Sequence, residues 1–273
     1  MFWHVLLLEK DKLFNRYMFW IELAILTLII VIVDLSLYLI SLGLSHQATT
    51  ALSKTFTWPL GLISGVGLAG SHAIGGLLLI ILVGTVTAQE YSWRTIHMWL
   101  CHGVSRPTLI GAKFIVALLP IVIVLLTSFV IGAVLTGCFT YALHGNLSIS
   151  YSDIKQVAIF FLVTGYSLLP YIALTFLLAI LTRSVGATIG ISLAFVFLVE
   201  SILYSVLLAL GGAASQFVQY LPIGLTNALL FYSNGSSPFS MAAHSVAIIG
   251  IALYTLVFTG VTFLLFQRQS FSN

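Results

Sequence analysis

Charge is the scarcest thing in this sequence. Of its 273 residues only 6% are Asp, Glu, Lys or Arg, while 60% are hydrophobic; a typical soluble domain carries about 25% charged residues. So little charge cannot solvate the surface of a domain this size, so lipid is the expected solvent for most of the chain. The net charge of +3 is spread over loops, with no basic run of the kind that binds nucleic acid. Cysteine is scarce too, and the topology set out next puts Cys101 and Cys138 on opposite sides of the membrane, where they cannot pair. No cleavable signal peptide is expected, because Glu9, Lys10, Asp11 and Lys12 interrupt the first apolar run before it can span. The seven histidines include no HExxH pair, and GxSxG, CxxC and the GxxxxGK[ST] nucleotide loop are all missing. These gaps point away from an enzyme, a metal site or a nucleotide site in the chain itself.

What the chain has is apolar length. About 20 apolar residues cross a bilayer as a helix, and six such stretches run at about 17–44, 59–88, 108–138, 156–182, 185–210 and 242–266. Turn signals separate them: Ser-His-Gln near 45, His-Gly-Asn at 144–146, Thr-Arg-Ser at 182–184 and Ser-Asn-Gly-Ser-Ser-Pro at 233–238. The fourth and fifth stretches are joined so briefly that they predict a tight antiparallel hairpin. The long apolar connection from the fifth to the sixth predicts short helices that dip back into the outer leaflet. Ahead of the first span, residues 1–16 place Phe2, Trp3, Val5, Leu6, Leu13 and Phe14 at roughly helical spacing among Glu9, Lys10, Lys12 and Arg16. That pattern predicts a helix lying in the membrane interface. The expected fold is therefore an all-α integral membrane protein, residues 1–273 forming one transmembrane domain.

Cations orient it. With the N-terminus inside, Lys10, Lys12, Arg16, Arg94, Arg106, Lys113, Arg183 and Arg268 fall on the cytoplasmic side and only Lys54 and Lys155 outside. Both termini are then cytoplasmic.

Within the spans, ionisable residues need a reason, since a charge at helix centre costs at least about 2.5–3.5 kcal/mol on insertion scales. Glu22 is near enough to the inner end to reach the interface. Asp34 lies about 20 Å or more into its helix, and Glu200 reaches a similar depth; His72 lies near the middle of the second span. One arrangement has these three facing a shared interior, as a structural pairing, as the lining of a substrate path, or as groups that couple to a proton or cation. The second span is also unusually smooth, with Gly61, Gly65, Gly67, Gly70, Gly75, Gly76 and Gly84. The small-xxx-small spacings Gly61/Gly65 and Ser71/Gly75 predict close helix packing along it.

Between the second and third spans stands the longest polar interruption on the inner side, Gln89 to Phe114. Glu90 closes the second span, and Tyr91 to His102 can form about three helical turns. On them Ile96, Trp99 and Leu100 share one face, continued by Gly103, and Arg94, His97 and Cys101 share another. Gly103 and Pro107 turn the chain into the third span, which carries Lys113 one to two turns in.

This stretch, EYSWRTIHMWLCHGVSRPTLIGAKF, resembles the loop of type-2 ATP-binding-cassette transporter permeases. In that family a Glu ends the second helix, followed by a Gly-Thr pair, a hydrophobic stretch, a small residue-Ser-Arg turn and a Lys in the third helix. Glu90, Thr95, Leu100, Gly103, Ser105, Arg106 and Lys113 match, while Arg94 stands where the family usually has Gly. Looser likenesses are the interfacial start, the six spans, the Leu-Pro of YLPIGLTNALL and the basic tail FQRQS. In flavour the chain is closest to permeases of bacterial antibiotic-peptide and bacteriocin self-protection exporters.

The resemblance implies a permease subunit in a bacterial plasma membrane, paired with a second permease subunit as a homo- or heterodimer. Each permease docks on a partner ATPase that holds the ATP and Mg, and the chain needs no cofactor of its own. Residues of about 90–103 would be the coupling helix, with Glu90, Arg94, Thr95, Ile96, Trp99, Leu100, Gly103, Ser105 and Arg106 at the ATPase contact. The cargo would be an amphipathic peptide, a lipid-like molecule or a drug. Two other classes remain open. A stand-alone secondary transporter or channel would use Asp34, His72 and Glu200 as coupling groups, and predicts inverted repeats, of which no convincing pair relates the two halves. An intramembrane enzyme predicts paired catalytic groups at one depth, which only Asp34 and Glu200 approach.

Overall fold

The computed structural model describes residues 2–43, 58–93, 95–101, 103–147, 150–233 and 244–269, with backbone alone at 41–43, 97, 100, 144, 213–214 and 231–233. Its described residues are helical with no strand, and six of the helices are long and apolar enough to cross a membrane. Lys54, Arg94 and His102 lie outside the described residues.

Helix α1 (Phe2–Phe14) buries Val5, Glu9 and Leu13, one residue in every four, and leaves Trp3, Leu7 and Leu8 exposed. A stripe at that spacing lies on one side of a helix, and here it faces the third span. After a turn in which the Trp20 indole donates to the Phe14 carbonyl at 2.8 Å, α2 (Tyr17–Gly43) forms the first span. Its inward stripe is Phe19, Glu22, Leu26, Ile30 and Asp34, and its other faces carry exposed Ile and Leu.

The second span departs from the continuous helix expected over 59–88. It is split into α3 (Leu62–Leu68) and α4 (Ile74–Ser92). Between them the chain folds back on itself, and the Gly76 amide donates to the Gly70 carbonyl at 3.0 Å. A Cβ on Gly75 or Gly76 would strike the backbone of Ala69, Gly70 or Ser71, so only glycine fits the break. Ser71 and Gly75 thus belong to a bend and not to a packing face. The other glycines do serve close packing, at two heights. Gly65 sits against Gly132 of the third span, and Gly84 against Thr175, Thr188 and Ile189 of the fourth and fifth.

A short helix, α5 (Thr95–Cys101), leads through Gly103, at φ +80°, into α6 (Arg106–His144). At 39 residues α6 is about 58 Å long, well beyond the hydrocarbon thickness. Cys101 and Cys138 flank most of it, about 50 Å apart along the axis. Helix α7 (Tyr151–Thr182) ends on Arg183 in the left-handed conformation (φ 52°), and α8 (Val185–Leu210) starts at once, making the fourth and fifth spans a tight hairpin. Residues Ala194–Glu200 of α8 wind as a π-helix.

The connection to the sixth span contains α9 (Gly212–Phe217), a 3₁₀ turn (Val218–Tyr220) and α10 (Pro222–Ser233). Helix α11 (His244–Arg268) completes the bundle. The second and fourth spans form its centre, while the first, fifth and sixth are mostly peripheral.

Hydrogen bonds gather one set of helix ends. The Arg106 guanidinium donates to the Gln267 and Gln269 carbonyls at 2.7 and 2.8 Å, the Gln269 amide donates to the Ile180 carbonyl at 3.1 Å, and the Tyr91 hydroxyl meets Gln269 at 3.4 Å. The ends of the second, fourth and sixth spans, the start of the third, and α1 therefore share one end of the bundle.

Candidate functional site

At that end lies a buried ionic cluster. Three elements converge: the inward stripe of α1 supplies Glu9, the last turns of α4 supply Glu90, and the second turn of α6 supplies Lys113. All three side chains are at least nine-tenths buried. The Lys113 ammonium donates to Glu9 at 2.9 Å and also to Glu90. Lys12, one helical turn beyond Glu9, completes the set at 3.1 Å from Glu9 and 3.5 Å from Glu90. Two carboxylates are thus balanced by two ammonium groups. Burial pushes the Glu9 carboxyl up, but the Lys113 and Lys12 charges and hydrogen bonds outweigh it and hold Glu9 below its ordinary value.

The same cluster grips α5. The Lys12 ammonium lies 5.1 Å above the Trp99 ring, and the Arg16 guanidinium 5.8 Å from the Trp93 ring. Arg16 also donates to Gln89 at 2.6 Å. The Thr95 hydroxyl donates to the Glu90 carbonyl at 3.3 Å, closing the corner between α4 and α5. Gly103 and the return of the Val104 amide to the Trp99 carbonyl end the short helix. Ser105 stands at the N-cap of α6, its hydroxyl 2.6 Å from that of Thr108, and Arg106 fastens the end of the sixth span.

These positions revise the expected docking face. Ile96 is only 4% exposed and joins the main core, and Trp99 is half-buried against it, so both face inward. The exposed apolar residues here are Trp93 and Met98. Arg94, and the side chains of His97 and Leu100, lie outside what the structure describes.

The second cluster is within the membrane-spanning region. His72, at the break in the second span, has its Nε2 3.5 Å from Glu200 Oε2. The Tyr171 hydroxyl of the fourth span donates to Glu200 Oε1 at 3.1 Å, and so does the backbone amide of Ile223 in the first turn of α10. Ser71 and Thr226 hydroxyls lie beside the Tyr171 phenol, and Ser71 Oγ is 3.2 Å from His72 Nδ1. Glu200 is the last residue of the π-helical segment, and such segments are frequent at functional sites. It sits ten residues, about 15 Å, from the C-terminal end of α8, so Ile223 brings the start of α10 well inside the bundle.

Asp34 is not part of this cluster. It is buried where the first span meets α3, facing the Ser64 hydroxyl, and its Oδ2 has no hydrogen-bond partner among the described residues. Glu22, expected at the interface, is also buried, with Oε1 unpartnered among the described residues. Among those residues no three of His, Cys, Asp or Glu gather as a metal site requires.

Sequence reasoning missed three participants. Glu9 and Lys12 read only as charged positions of an interfacial helix, although the buried stripe Val5, Glu9, Leu13 was there as a four-residue repeat. Tyr171 carries no signal of its own, lying in an apolar run beside Pro170.

Helices and clusters together define a multi-pass, all-α membrane protein. The chain belongs to the family described as "Protein of unknown function (DUF2705)", which matches residues 74–271. It is also similar to "Uncharacterized protein YhcI" of Bacillus subtilis (strain 168), with 24% identity over 210 residues, 72% of this chain and 65% of that protein. The chain thus matches just under two thirds of that relative's length. The family match includes the Glu90–Lys113 corner, Glu200 and α10, and begins just past His72.

Proposed function

We propose that this chain is the membrane-spanning permease subunit of an ATP-driven exporter in a bacterial plasma membrane, with both termini cytoplasmic. It pairs with a second permease subunit, and each docks on a separate ATP-binding-cassette ATPase that hydrolyses ATP with Mg. One observation carries the reading. The Glu90–Lys113 stretch, which carries the residues that match type-2 permeases, ties the corner holding the short helix α5 to the second, third and sixth spans and to α1. Glu90 and Lys113 form a buried pair, Trp99 is held under Lys12, and Arg106 ties the corner to the sixth span. A helix so fixed transmits a push to the spans without flexing.

ATP binding in the partner changes the grip on α5, and the permease follows into whichever state is gripped better. The partner then meets the exposed side of this corner, where Trp93, just ahead of α5, and Met98 of α5 stand, and not the inward Ile96 and Trp99. Cargo with apolar surface suits this bundle. An open apolar groove of about 390 Å³ runs between the third and fourth spans, lined in part by Leu118, Leu125, Phe161 and Tyr166.

The test is co-purification, in mild detergent, with a cassette ATPase of the same cell, one encoded beside this chain being the first to try. The parent is expected to retain it. Met98→Glu, which puts a charge at the centre of the apolar contact, is expected to weaken retention at least about tenfold, the scale of one interface anchor. Failure of the parent to retain any ATPase, or equal retention by Met98→Glu, overturns the reading.

A further inference from the structure

We propose that His72 and Glu200 form a proton-binding site inside the membrane, and that its single proton holds the inserted helix α10 in place. The geometry is that of a site built for one proton. Glu200 is 2% exposed. Its Oε1 is already occupied by the Tyr171 hydroxyl and the Ile223 amide, while Oε2 has no hydrogen-bond partner among the described residues and faces His72 Nε2, equally unpartnered there, across 3.5 Å.

Counting charges fixes how the site works. With one proton between Nε2 and Oε2 it is neutral overall. With that proton on Nε2, the ring has an acceptor on both sides, Ser71 Oγ at 3.2 Å from Nδ1 and Glu200 Oε2 at 3.5 Å from Nε2. Removing the proton leaves one uncompensated anion deep in the bundle, which is costly in this setting. The His72 side chain is 23% exposed where the second span breaks.

The other groups around Glu200 do not duplicate the role. Tyr171 from the fourth span and Tyr254 from the sixth are phenols, and the first turn of α10 offers an amide and the Thr226 hydroxyl. Tyr204 follows Glu200 one turn later on the same helix. His72 is the only imidazole among the described residues in contact with the carboxylate.

Four elements meet at this proton: the break of the second span, the fourth span, the π-helical segment of the fifth, and the N-terminus of α10. A change of one charge therefore bears on how α10 docks. The bend before α10 is as tightly built as the break, since a Cβ on Gly224 would strike the Val218 carbonyl. In an exporter such a site would tie the position of the outer re-entrant helix to the proton supply at the outer face, but the inference does not depend on the exporter reading.

The experiment is hydrogen–deuterium exchange of the α10 amides in the full chain in nanodiscs, from acid to alkaline pH, corrected for intrinsic exchange. The parent is expected to lose protection about tenfold or more as the solution becomes alkaline. Glu200→Gln, which keeps the Oε1 acceptor for Ile223 but holds no charge, is expected to stay protected throughout. His72→Gln is expected to sit at the parent's alkaline level from neutral pH upward. No ATPase takes part, so the outcome is separate from that of the co-purification. A flat parent curve, or a Glu200→Gln curve that falls like the parent's, overturns the proposal. Should Glu200→Gln fail to fold, His72→Gln decides alone, since its side chain is partly exposed: a fall matching the parent's over the same range overturns it.

Discussion

The protein keeps two buried ionic clusters, one at the end of the bundle and one within it, and they differ in kind. The end cluster sets two carboxylates, Glu9 and Glu90, against two ammonium groups, Lys12 and Lys113. Its two carboxylates and two ammonium groups balance one for one. The inner cluster sets one carboxylate, Glu200, against a histidine, with a hydroxyl and a backbone amide in support. Its balance depends on one exchangeable proton. A permanent cluster makes a brace and a titratable one makes a switch. The brace sits where a rigid corner is useful, and the switch where α10 meets the break in the second span.

The harshest test of the brace is Lys113→Met. Removing one member of a buried ionic set strands its partner, at a cost of about 3–5 kcal/mol. Here Glu9 and Glu90 would face each other with only Lys12 between them. Thermal unfolding in detergent should drop sharply, and the double variant Lys113→Met/Glu90→Gln, which leaves Glu9 paired with Lys12 alone, should recover part of the loss. If the double variant is no more stable than the single, the cluster is not held by charge balance.

Acid offers a gentler test. Glu9 is held below its ordinary value of 4.5 in the folded chain. The stability it contributes is therefore complete above that ordinary value and is lost as pH falls through the lower folded one. Acid should loosen α1 from the third span, read as faster exchange of the 5–13 amides, whereas α10 is expected to loosen in alkali. Glu9→Gln should blunt the acid effect and leave the alkaline response of α10 untouched. Loosening of both helices at the same end of the pH range would erase the distinction between brace and switch.

Much of the architecture was legible in the sequence, and the reason is physical. Lipid demands long apolar helices, so their number and rough bounds follow from hydropathy alone. The tight turn at Arg183 and the helices between the fifth and sixth spans were equally visible. What stayed hidden depends on contacts between distant residues. The break at residues 69–73 lies inside a stretch whose length and hydropathy fit one span, and its glycines read as a smooth packing face because small residues suit both purposes. Glu9 read only as a charged position of an interfacial helix, and its place on the buried stripe is what argues otherwise. His72 and Glu200 were singled out as costly, and the structure brings them together. Asp34, singled out on the same ground, belongs to another interface. The cost of burying a charge shows in one residue, but its partner is chosen by the fold.

The smallest expected effect concerns the rim of the brace. Arg106 donates to two carbonyls at the end of the sixth span, Gln267 and Gln269, both beyond the intrahelical ladder. A cation at a helix C-terminus satisfies orphan carbonyls and favours the helix dipole. Hydrogen bonds from a charged donor contribute about 1.5–3 kcal/mol each when well buried, but this corner is partly exposed and water can replace the donor. Arg106→Ala is therefore expected to cost about 1 kcal/mol, in the range of exposed ionic contacts, and to act locally. The 265–269 amides should exchange faster, while the α1 and α10 amides keep their protection at neutral pH. Arg106→Lys should restore little, because an ammonium cannot span both carbonyls as the planar guanidinium does. A global fall in stability on the scale of Lys113→Met would mean that Arg106 belongs to the brace itself and that the end cluster reaches as far as the sixth span.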